Sequence, residues 1–339
     1  MSGVAQEEVR ADETGLRLDR WFKRRYPDLP HGRLEKLARS GQIRVDGKRV
    51  KPADRLEAGQ TVRVPPLGPP PERPAGAPPR AKPKPALTDA DREMIQAAIV
   101  YEDDFAIAFN KPPGLASQGG TGTTRHVDGL MAALADGREA PRLVHRLDRD
   151  TSGVLLLGKT ASAAAALAKA FRDRSARKVY WALVAGLPKP ERGTIDLALR
   201  KAGGRGAERM VWDEDVRPSD GESQRAATDY AVLEKAGRFA TLVAMMPLTG
   251  RTHQLRAHMA AIGHPILGDG KYGGEAATLP GMKLPKGMML HARSLDLPHP
   301  SGHGRLFVEA EPPPAFAEAL KAFGFAPERL PDPFIEAGR

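Results

Sequence analysis

The chain has 339 residues, 41% of them hydrophobic, which allows two folded domains and excludes a largely disordered protein. It contains no cysteine, so disulfides, zinc sites built on thiolates and cysteine nucleophiles are excluded. Its formal net charge of +10 favours an acidic partner such as a nucleic acid or an anionic membrane surface. The segment Met1 to Glu13 is polar and acidic, without signal-peptide character, and no apolar run reaches membrane-spanning length. We therefore expect a cytoplasmic protein with no membrane partner.

Residues 14–64 predict a small basic domain that begins with two helices. Leu18, Trp21 and Phe22 recur at helical spacing in the first helix, which ends where two prolines follow. Residues 31–39 predict a second, amphipathic helix.

A hairpin and one further strand complete this domain. Residues 43–50 predict a strand, an Asp-Gly turn and a return strand, and residues 61–64 predict the last strand. Residues 14–64 contain 14 Lys and Arg against 6 Asp and Glu, so most of the net charge lies here. A charge concentrated in this way indicates a polyanionic partner rather than a general effect on solubility.

The order of motifs in this segment resembles the alpha-L RNA-binding module, which a small-subunit ribosomal protein shares with tyrosyl-tRNA synthetases. The matching features are Arg-Leu-Asp at the first helix, residues 40–48 after the second helix, and the closing strand at 56–62. The resemblance implies a small α/β domain that recognises structured RNA by shape and backbone, because aromatic residues for base stacking are few. The alternative is a small basic fold of no particular purpose. The expected phosphate contacts are Arg33, Lys36, Arg39 and Arg44.

Residues 65–90 predict a linker. Ten of the 21 residues from 65 to 85 are proline, and basic side chains lie between them. Such a sequence forms an extended, semi-rigid spacer. It separates the N-terminal domain from a larger one, which we expect over residues 95–330.

The larger unit alternates strand-like segments with a few helices, a pattern that favours an α+β fold with a mixed, mainly antiparallel sheet. Strands are predicted at 105–110, 153–159, 178–186, 227–235, 238–246 and 305–310. Helices are predicted at 161–174, 252–262 and 315–323.

The most informative segment of this unit is 142–153, where Asp148 lies among three arginines and a histidine. Such a carboxylate suits a nucleophile that must stay ionised beside a polyanion, because cationic neighbours favour its charged form and attract phosphate. The structural alternative is a solvated Arg-Leu-Asp face followed by an ordinary Thr-Ser-Gly turn.

Three further segments carry residues with useful chemistry and also admit structural interpretations. Lys111 precedes Pro-Pro-Gly after a strand, which is consistent with a lysine on a surface turn. Tyr180 and Trp181 lie in a strand, where aromatic residues most often belong to the core, and we expect this of Trp181. Residues 249–258 are consistent with an amphipathic helix that has a basic face and Thr252 near its cap.

Two apparent ligand sites are dismissed on their context. Residues 153–160 fit the pattern GxxxxGK[ST], but the residues between the glycines are Val-Leu-Leu-Leu, which is typical of a buried strand. His253 and His258 are five residues apart and do not share a helix face, so they predict no metal site. Surface histidines are expected in the Pro- and Gly-rich stretch that contains His291, His299 and His303.

Four of these segments resemble, in the same order, the motifs of the RluA-type pseudouridine synthases, and the N-terminal module suits the longer, RluC-like members. The matches are Lys-Pro-x-Gly after a strand, His-Arg-Leu-Asp before Thr-Ser-Gly, a tyrosine in a Lys-x-Tyr context, and Gly-Arg-Thr-His-Gln-Leu-Arg. The resemblance covers nearly the whole chain after residue 95. It implies the pseudouridine synthase fold with a central cleft.

The resemblance also implies roles for individual residues. Asp148 corresponds to the catalytic nucleophile and Arg256 to the arginine that pairs with it, which we expect to be a bidentate contact that keeps the carboxylate deprotonated. Tyr180 corresponds to an active-site tyrosine that can stack on uracil and relay a proton. Arg146 corresponds to the arginine that fills the space of an extruded uridine. Further expected RNA contacts are His145, Lys111 at the rim of the active site, and Arg251.

The implied reaction is isomerisation of uridine to pseudouridine within RNA, without a metal, nucleotide or redox cofactor. The resemblance leaves open whether Asp148 attacks the sugar or the base. Large-subunit ribosomal RNA of the 23S type is the favoured substrate, because alpha-L modules accompany ribosomal members of the family, and transfer RNA is second. The alternative from another class is a non-catalytic RNA-binding or ribosome-assembly protein. We expect a monomer whose site preference depends on the linker and on the 117–126 loop, which depart from the family pattern.

Overall fold

The computed structural model describes residues 3–67, 87–119, 123, 125–135, 139–203, 209–212, 223–327 and 330–335. The chain divides into two compact units, Met1–Lys82 and Pro83–Arg339. Most of the predicted linker, residues 68–86, lies outside the described residues, as do positions 120–122 and 124 of the loop that departs from the family pattern. No helix among the described residues is long and apolar enough to cross a membrane.

The N-terminal unit consists of two helices and an antiparallel four-stranded sheet. Its elements are β1 (Ala5–Glu8), α1 (Leu18–Arg25), α2 (His31–Arg39), β2 (Arg44–Val45), β3 (Lys48–Arg49) and β4 (Thr61–Val64). The strands lie in the order β1-β4-β2-β3. Both predicted helices, the hairpin and the closing strand are confirmed.

Local sequence explains these elements. Leu18, Trp21 and Phe22 lie on one face of α1 and are buried in the core of the unit. Asp46 and Gly47 connect β2 to β3 with φ angles of 49° and 76°. Two successive positive φ values match the right-handed twist of a hairpin, and Asp-Gly adopts them readily.

The first strand was not predicted. β1 pairs with β4 in register from Ala5 opposite Val64 to Glu8 opposite Thr61. The acidic residue Glu13, which follows it, is buried and accepts a hydrogen bond from the Trp21 indole nitrogen at 3.0 Å. The polar N-terminal segment is therefore part of this unit rather than a tail.

The C-terminal unit contains five α-helices among its described residues, together with thirteen strands. The helices are α3 (Asp89–Ala98), α4 (Val127–Leu134), α5 (Ala161–Arg172), α6 (Gln254–Ala261) and α7 (Pro314–Phe323). The strands are β5 (Ile99–Glu102), β6 (Ala106–Lys111), β7 (Arg142–Leu143), β8 (Ser152–Gly158), β9 (Arg177–Ala185), β10 (Arg192–Asp196), β11 (Leu199–Ala202), β12 (Arg209–Trp212), β13 (Ser223–Gln224), β14 (Ala227–Ala236), β15 (Ala240–Pro247), β16 (Leu290–Pro298) and β17 (Arg305–Glu309).

A ten-stranded mixed sheet forms the centre of this unit. Its main order is β10-β14-β15-β9-β16-β8-β6-β5, with β17 paired to β16 and β7 paired to β8. Among the described strand pairs, only β8 with β16 is parallel. The smaller sheet has the order β12-β11-β13. The predicted α+β class, with a mixed and mainly antiparallel sheet, is confirmed.

The strand β8 is buried along its whole length because helices cover both faces of the sheet there. Leu156 packs on the side of α5, whereas Leu155 and Leu157 pack on the side of α3 and α4. The segment that formally fits a phosphate-binding loop is therefore a core strand, as its apolar residues predicted. Gly153 has a φ of 107°, and a Cβ there would lie 2.2 Å from the Ala292 carbonyl oxygen, so the Thr-Ser-Gly glycine allows β8 to approach β16.

The strand β16 was missed, and the expectation that its histidine is a surface residue is wrong. His291 is fully buried at the centre of the sheet. Its Nδ1 lies 2.9 Å from the Ser152 hydroxyl and its Nε2 lies 2.8 Å from the Ala310 carbonyl oxygen. Burial lowers the pKa of His291 to about 4, so the ring is neutral. Two hydrogen bonds allow a polar ring to occupy a core position that composition alone assigns to the surface.

Candidate active site

A cleft of about 1870 Å³ opens in the C-terminal unit, beside the point where β8, β9 and β16 meet. It exceeds the roughly 300–1,000 Å³ that is typical of small-molecule pockets, so it suits a segment of a macromolecule. Residues that were predicted from separate parts of the chain meet at its wall. They are Arg146, Asp148, Tyr180, Arg251 and Arg256.

Asp148 lies in the loop before β8, and its side chain is 28% exposed, which leaves it accessible from the cleft without placing it in bulk solvent. Hydrogen bonds hold the residues on both sides of it. The Ser117 hydroxyl donates to the Leu147 carbonyl at 2.8 Å and accepts from the Leu147 N–H at 3.1 Å. On the other side, the Gly114 N–H donates to the Arg149 carbonyl at 2.9 Å. The backbone position of Asp148 is therefore fixed before any substrate binds.

Lys111 also anchors this loop, and its predicted place at the rim is wrong. Its side chain is completely buried, so it cannot contact RNA. The ammonium group donates to the carbonyl oxygens of Pro112, Leu115 and Arg149 at 2.8 to 2.9 Å. Burial lowers the pKa of Lys111 to about 7, against the opposing charges of nearby aspartates. Because a protonated amine has three donors, the three carbonyls match its charged form.

His145 is half-buried and lines the cleft, so its predicted contact with RNA stays a prediction, but its ring is already engaged by the protein. Its Nε2 accepts the Leu156 N–H of β8 at 2.9 Å, and its ring stacks on Phe171 with centroids 4.5 Å apart. Burial, with a contribution from the positive charge of Lys178, lowers the pKa of His145 to about 3. A neutral ring that is bonded to the sheet offers no charge to phosphate. His145 ties the start of the Asp148 loop to the sheet.

Arg256 reaches Asp148 as predicted, but the expected bidentate geometry is wrong. Its Nε and Nη2 donate to the two oxygens of Asp269 at 2.7 and 2.8 Å. Its Nη1 lies 3.6 Å from Oδ2 of Asp148. Burial alone would lower the pKa of Arg256, but the hydrogen bonds and charge of Asp269, together with Asp148, raise it. Two nitrogens of the Arg256 guanidinium therefore bind the buried Asp269, and the third, Nη1, is directed toward the cleft.

The helix α6 carries Arg256, and it is not the amphipathic surface helix that the simpler interpretation expected. Its first six residues are all buried, from Gln254 to Met259. Gln254 accepts from Thr249 at 2.7 Å and from the Arg251 N–H at 3.0 Å, and it donates to the Ala227 carbonyl and the Thr228 hydroxyl at 2.9 Å. This side chain thus joins the turn after β15 to β14, which fixes where α6 begins.

Three residues at this site were missed by the sequence analysis: Asp269, His253 and Tyr272. His253 precedes α6, and its Nε2 lies 3.8 Å from Oδ2 of Asp148. Its Nδ1 lies 2.9 Å from the Tyr272 hydroxyl. His253 was considered only as a metal ligand, although it lies inside the motif that supplied Arg256. Asp269 and Tyr272 lie in the segment after α6, and only the folded chain reveals their contacts.

Tyr180 lines the cleft from β9, while Trp181 on the opposite face is buried in the core, as predicted. Burial raises the pKa of Tyr180, and the Asp148 carboxylate adds to this effect. The phenol therefore stays protonated at neutral pH. This state suits hydrogen-bond donation and stacking on a base rather than proton abstraction.

Comparisons with known proteins agree with this geometry. The family described as RNA pseudouridylate synthase matches residues 105–261, and the S4 domain matches residues 16–62. A Salmonella typhimurium protein named ribosomal large subunit pseudouridine synthase C is 37% identical over 89% of this chain and 91% of its own length. This chain belongs to the RluA-type RNA pseudouridine synthases. It is therefore an isomerase that converts uridine to pseudouridine in RNA, with an N-terminal S4 domain.

Other pseudouridine synthases extend the likeness across organisms and to solved structures. The Escherichia coli K12 protein of the same name is 36% identical over 89% of this chain and 91% of its own length. Human RNA pseudouridylate synthase domain containing 4 has a TM-score of 0.55 at 26% identity, covering 69% of this chain and 95% of that one. Human RNA pseudouridylate synthase domain containing 1 has a TM-score of 0.52 at 28% identity, covering 70% and 96%.

The remaining predicted contacts of this pseudouridine synthase are basic side chains. Arg146 is exposed in the cleft and makes no side-chain hydrogen bond to any described residue. The Arg251 Nε donates to the Arg225 carbonyl at 3.1 Å, which orients its guanidinium at the cleft.

The S4 domain carries the other four predicted phosphate contacts. Lys36 and Arg39 are exposed on α2, and Arg33 on the same helix is half-buried. Arg44 is partly committed to its own domain, because it donates to the Gly41 and Gly47 carbonyls at 3.1 and 3.0 Å. Lys36 and Arg39 are thus the two of the four with the most accessible charge.

Proposed function

We propose that this pseudouridine synthase modifies uridines in large-subunit ribosomal RNA, with Asp148 as its nucleophile. The observation that carries the catalytic role is the position of Asp148: its backbone is anchored on both sides, yet its carboxylate has only long ionic contacts to the described residues, at 3.6 Å to Arg256 and 3.8 Å to His253. A carboxylate that is oriented but accepts no short hydrogen bonds has its oxygen lone pairs available for reaction.

In the proposed reaction the RNA docks on the basic surface and the target uridine leaves the base stack. The exposed Arg146 takes its place, which offsets part of the cost of unstacking. The N-glycosidic bond breaks, a bond forms from the same sugar carbon to a carbon of the uracil ring, and that ring carbon loses a proton while the former glycosidic nitrogen gains one. Asp148 attacks the sugar or the base along this path, and the chemistry is balanced by either route.

The charges of the cleft suit a carboxylate nucleophile that acts on RNA. Arg256, Arg251 and Arg146 surround the cleft with positive charge, which attracts the RNA backbone. Tyr180 contributes a protonated phenol that can stack on the turning uracil or donate a hydrogen bond to it.

The substrate is inferred from the relatives and from the S4 domain. The relatives of similar length carry names that refer to the large ribosomal subunit. The basic side chains on α2 offer sites for phosphate on structured RNA. We accordingly place this activity in the cytoplasm with the ribosome, carried out by a monomer, and sedimentation or light scattering of the purified protein tests the monomer.

Tritium release from transcripts labelled at carbon 5 of uracil tests this proposal. Three transcripts are compared: large-subunit ribosomal RNA, small-subunit ribosomal RNA and transfer RNA. Release from the first alone supports the proposed substrate, and release from transfer RNA alone replaces it with the second choice. Release that is equal in wild type and D148A contradicts the catalytic role of Asp148. Absence of release from all three transcripts contradicts the proposed substrate.

A further inference from the structure

His253 has a strained backbone beside the nucleophile. It adopts the left-handed conformation, with φ 52° and ψ 21°, at the position before α6. Such a conformation is unfavourable for a residue with a β-carbon, which keeps it only where surrounding contacts enforce it. Its carbonyl accepts the Ala257 N–H at 3.0 Å, and its Nδ1 contacts Tyr272. Both contacts hold the imidazole ring against the cleft wall.

The contacts of Tyr272 favour one tautomer of His253. The Met210 N–H donates to the Tyr272 hydroxyl oxygen at 2.9 Å. That oxygen is then free to donate its own hydrogen to His253 Nδ1, also at 2.9 Å. A neutral imidazole that accepts at Nδ1 carries its hydrogen on Nε2. In this tautomer the Nε2 of His253, 3.8 Å from Oδ2 of Asp148, is a donor.

The charges around His253 favour this neutral form. Burial lowers the pKa of His253, and the positive charges of Arg256 and Lys271 act in the same direction. The carboxylates of Asp148 and Asp269 oppose the shift but do not reverse it. Tyr272 faces the ring from the segment after α6, and burial raises the pKa of its phenol, so it stays protonated and remains a donor.

Two donors converge on the same oxygen of the nucleophile. His253 Nε2 lies 3.8 Å from Oδ2 of Asp148, and Arg256 Nη1 lies 3.6 Å from the same atom. Within the described part of the chain, neither oxygen of Asp148 has a side-chain hydrogen bond, and the nearest approach of each donor is to Oδ2. Catalytic hydrogen bonds are often long in a free enzyme and tighten in the complex, so we expect both donors to close on Oδ2 when substrate binds.

We propose that His253 is a positioning residue: Tyr272 fixes its tautomer, and its Nε2–H acts with Arg256 to hold Oδ2 of Asp148, so that Oδ1 is the oxygen that faces the uridine. This inference rests on the proposed role of Asp148. It assigns functions to two side chains that the sequence motifs alone did not distinguish from structural residues.

Three substitutions separate positioning from strain and folding. His253→Asn keeps a residue that tolerates the left-handed conformation, but its amide reaches only the position of Nδ1. His253→Gln extends an amide N–H to about the position of Nε2 and so restores the donor. Tyr272→Phe keeps the ring and removes the hydroxyl that fixes the tautomer. Each variant is compared with wild type by thermal unfolding, so that loss of fold is measured separately.

The assay is steady-state tritium release from large-subunit ribosomal RNA transcript labelled at carbon 5 of uracil. For H253N we expect kcat to fall about 10- to 100-fold with KM within about 3-fold, and for H253Q we expect recovery to within about 5-fold of wild type. A Gln variant that is no more active than the Asn variant, or an Asn variant with wild-type kcat, would overturn the proposal.

The pH profile of Y272F provides a readout that a purely structural role would not affect. At about pH 8 the neutral ring of this variant can shift its hydrogen to Nδ1 and lose the donor toward Asp148, so kcat falls about 10-fold. At a pH low enough to protonate the ring of the variant, each nitrogen carries a hydrogen, so the defect relative to wild type shrinks. A defect of equal size at about pH 8 and in the protonated state contradicts the assigned tautomer.

The variant D148A distinguishes this inference from the proposed function. Release by wild type with none by D148A, together with wild-type activity of H253N, overturns only the role of His253. Equal release by wild type and D148A overturns the role of the nucleophile itself.

Discussion

Both units of this chain use an arginine to hold two carboxylates, but they hold the second carboxylate differently. In the N-terminal unit, Arg25 lies 2.6 Å from Glu13 and 2.7 Å from Glu7. Glu13 also accepts from Trp21, and it is almost completely buried. Every carboxylate oxygen that faces Arg25 accepts a hydrogen bond from it, so none is left for reaction and the cluster stabilises the domain.

The cluster in the C-terminal unit is open. Arg256 makes two short hydrogen bonds to the buried Asp269, but its distance to Asp148 is 3.6 Å. Asp148 is 28% exposed, whereas Asp269 is 1% exposed. Glu7 is 26% exposed, close to Asp148, so the length of the contact separates the two clusters. The same pairing of residue types is structural when both carboxylates are tightly bound, and suited to reaction when one keeps only long contacts to the arginine.

The largest effect is expected from removing the arginine of the open cluster. Arg256→Met leaves Asp269 buried without a counter-charge, which should destabilise the C-terminal unit by about 3–5 kcal/mol and reduce activity by at least about 10³-fold. Urea unfolding and tritium release measure the two effects. Arg225→Met is the control, because that arginine pairs with Asp196 on the surface, and it should change stability by less than about 0.5 kcal/mol.

The anchor of the Asp148 loop gives the next largest effect. Lys111→Met leaves three carbonyl oxygens without their buried donor, which should lower the free energy of unfolding by about 2–4 kcal/mol and kcat by about 10-fold. Lys159→Met is matched to it, since that lysine pairs with Glu102 near the surface. Equal stability of the two variants would show that the buried ammonium does not hold the loop.

The stability that the cluster of Arg25, Glu7 and Glu13 gives the N-terminal unit should fall in acid. Although burial would raise the pKa of Glu13, its hydrogen bonds to Arg25, Arg10 and Trp21 lower it from 4.5 to about 2. A carboxyl group with a lowered pKa stabilises the folded state fully above about pH 4.5, and this contribution is lost as the pH falls toward about 2. Glu13→Gln should flatten that part of the pH dependence and cost about 1–3 kcal/mol at neutral pH.

Denaturant titrations of E13Q and wild type between about pH 2 and pH 7 measure this response. Asp12→Asn serves as the control, because Asp12 forms only an exposed pair with Arg24. Parallel pH curves for wild type and E13Q would refute the stabilising role of this cluster.

The smallest effect is expected from the surface charges of the S4 domain. A variant with both Lys36→Ala and Arg39→Ala should raise KM for ribosomal RNA a few-fold and leave kcat unchanged. The slope of the logarithm of the binding constant against the logarithm of the salt concentration should fall by the equivalent of about one to two phosphate contacts. Filter binding over a range of salt concentrations measures the slope. A slope equal to that of wild type would remove α2 from the RNA contact surface.

Much of this architecture could be predicted because it depends on local sequence. The helix over His31–Arg39 and the turn at Asp46-Gly47 follow from spacing and turn chemistry. The strand β16 could not be predicted in this way. His291 and Arg293 interrupt its apolar pattern, and tertiary contacts satisfy them: Ser152 and Ala310 bind His291, and Ala310 and Glu311 bind Arg293.

The residues of the site also divide into those that the sequence predicts and those that only tertiary contacts reveal. Asp148, Tyr180 and Arg256 were found because motif resemblance identifies residue types at fixed positions. The burial of Lys111 was missed because lysine is almost never fully buried unless paired, and its carbonyl partners are recognisable only in the folded loop. The bidentate partner of Arg256 was missed for a similar reason, since Asp269 lies beyond the end of α6.

The most direct test of the central claim, that the open carboxylate performs the reaction, is single-turnover pseudouridine formation by Asp148→Asn with enzyme in excess over ribosomal RNA. We predict a rate at least about 10³-fold below wild type, with RNA affinity within about 3-fold and unfolding unchanged, as for the exposed control Asp173→Asn. A D148N rate within about 10-fold of wild type would contradict this account of the site.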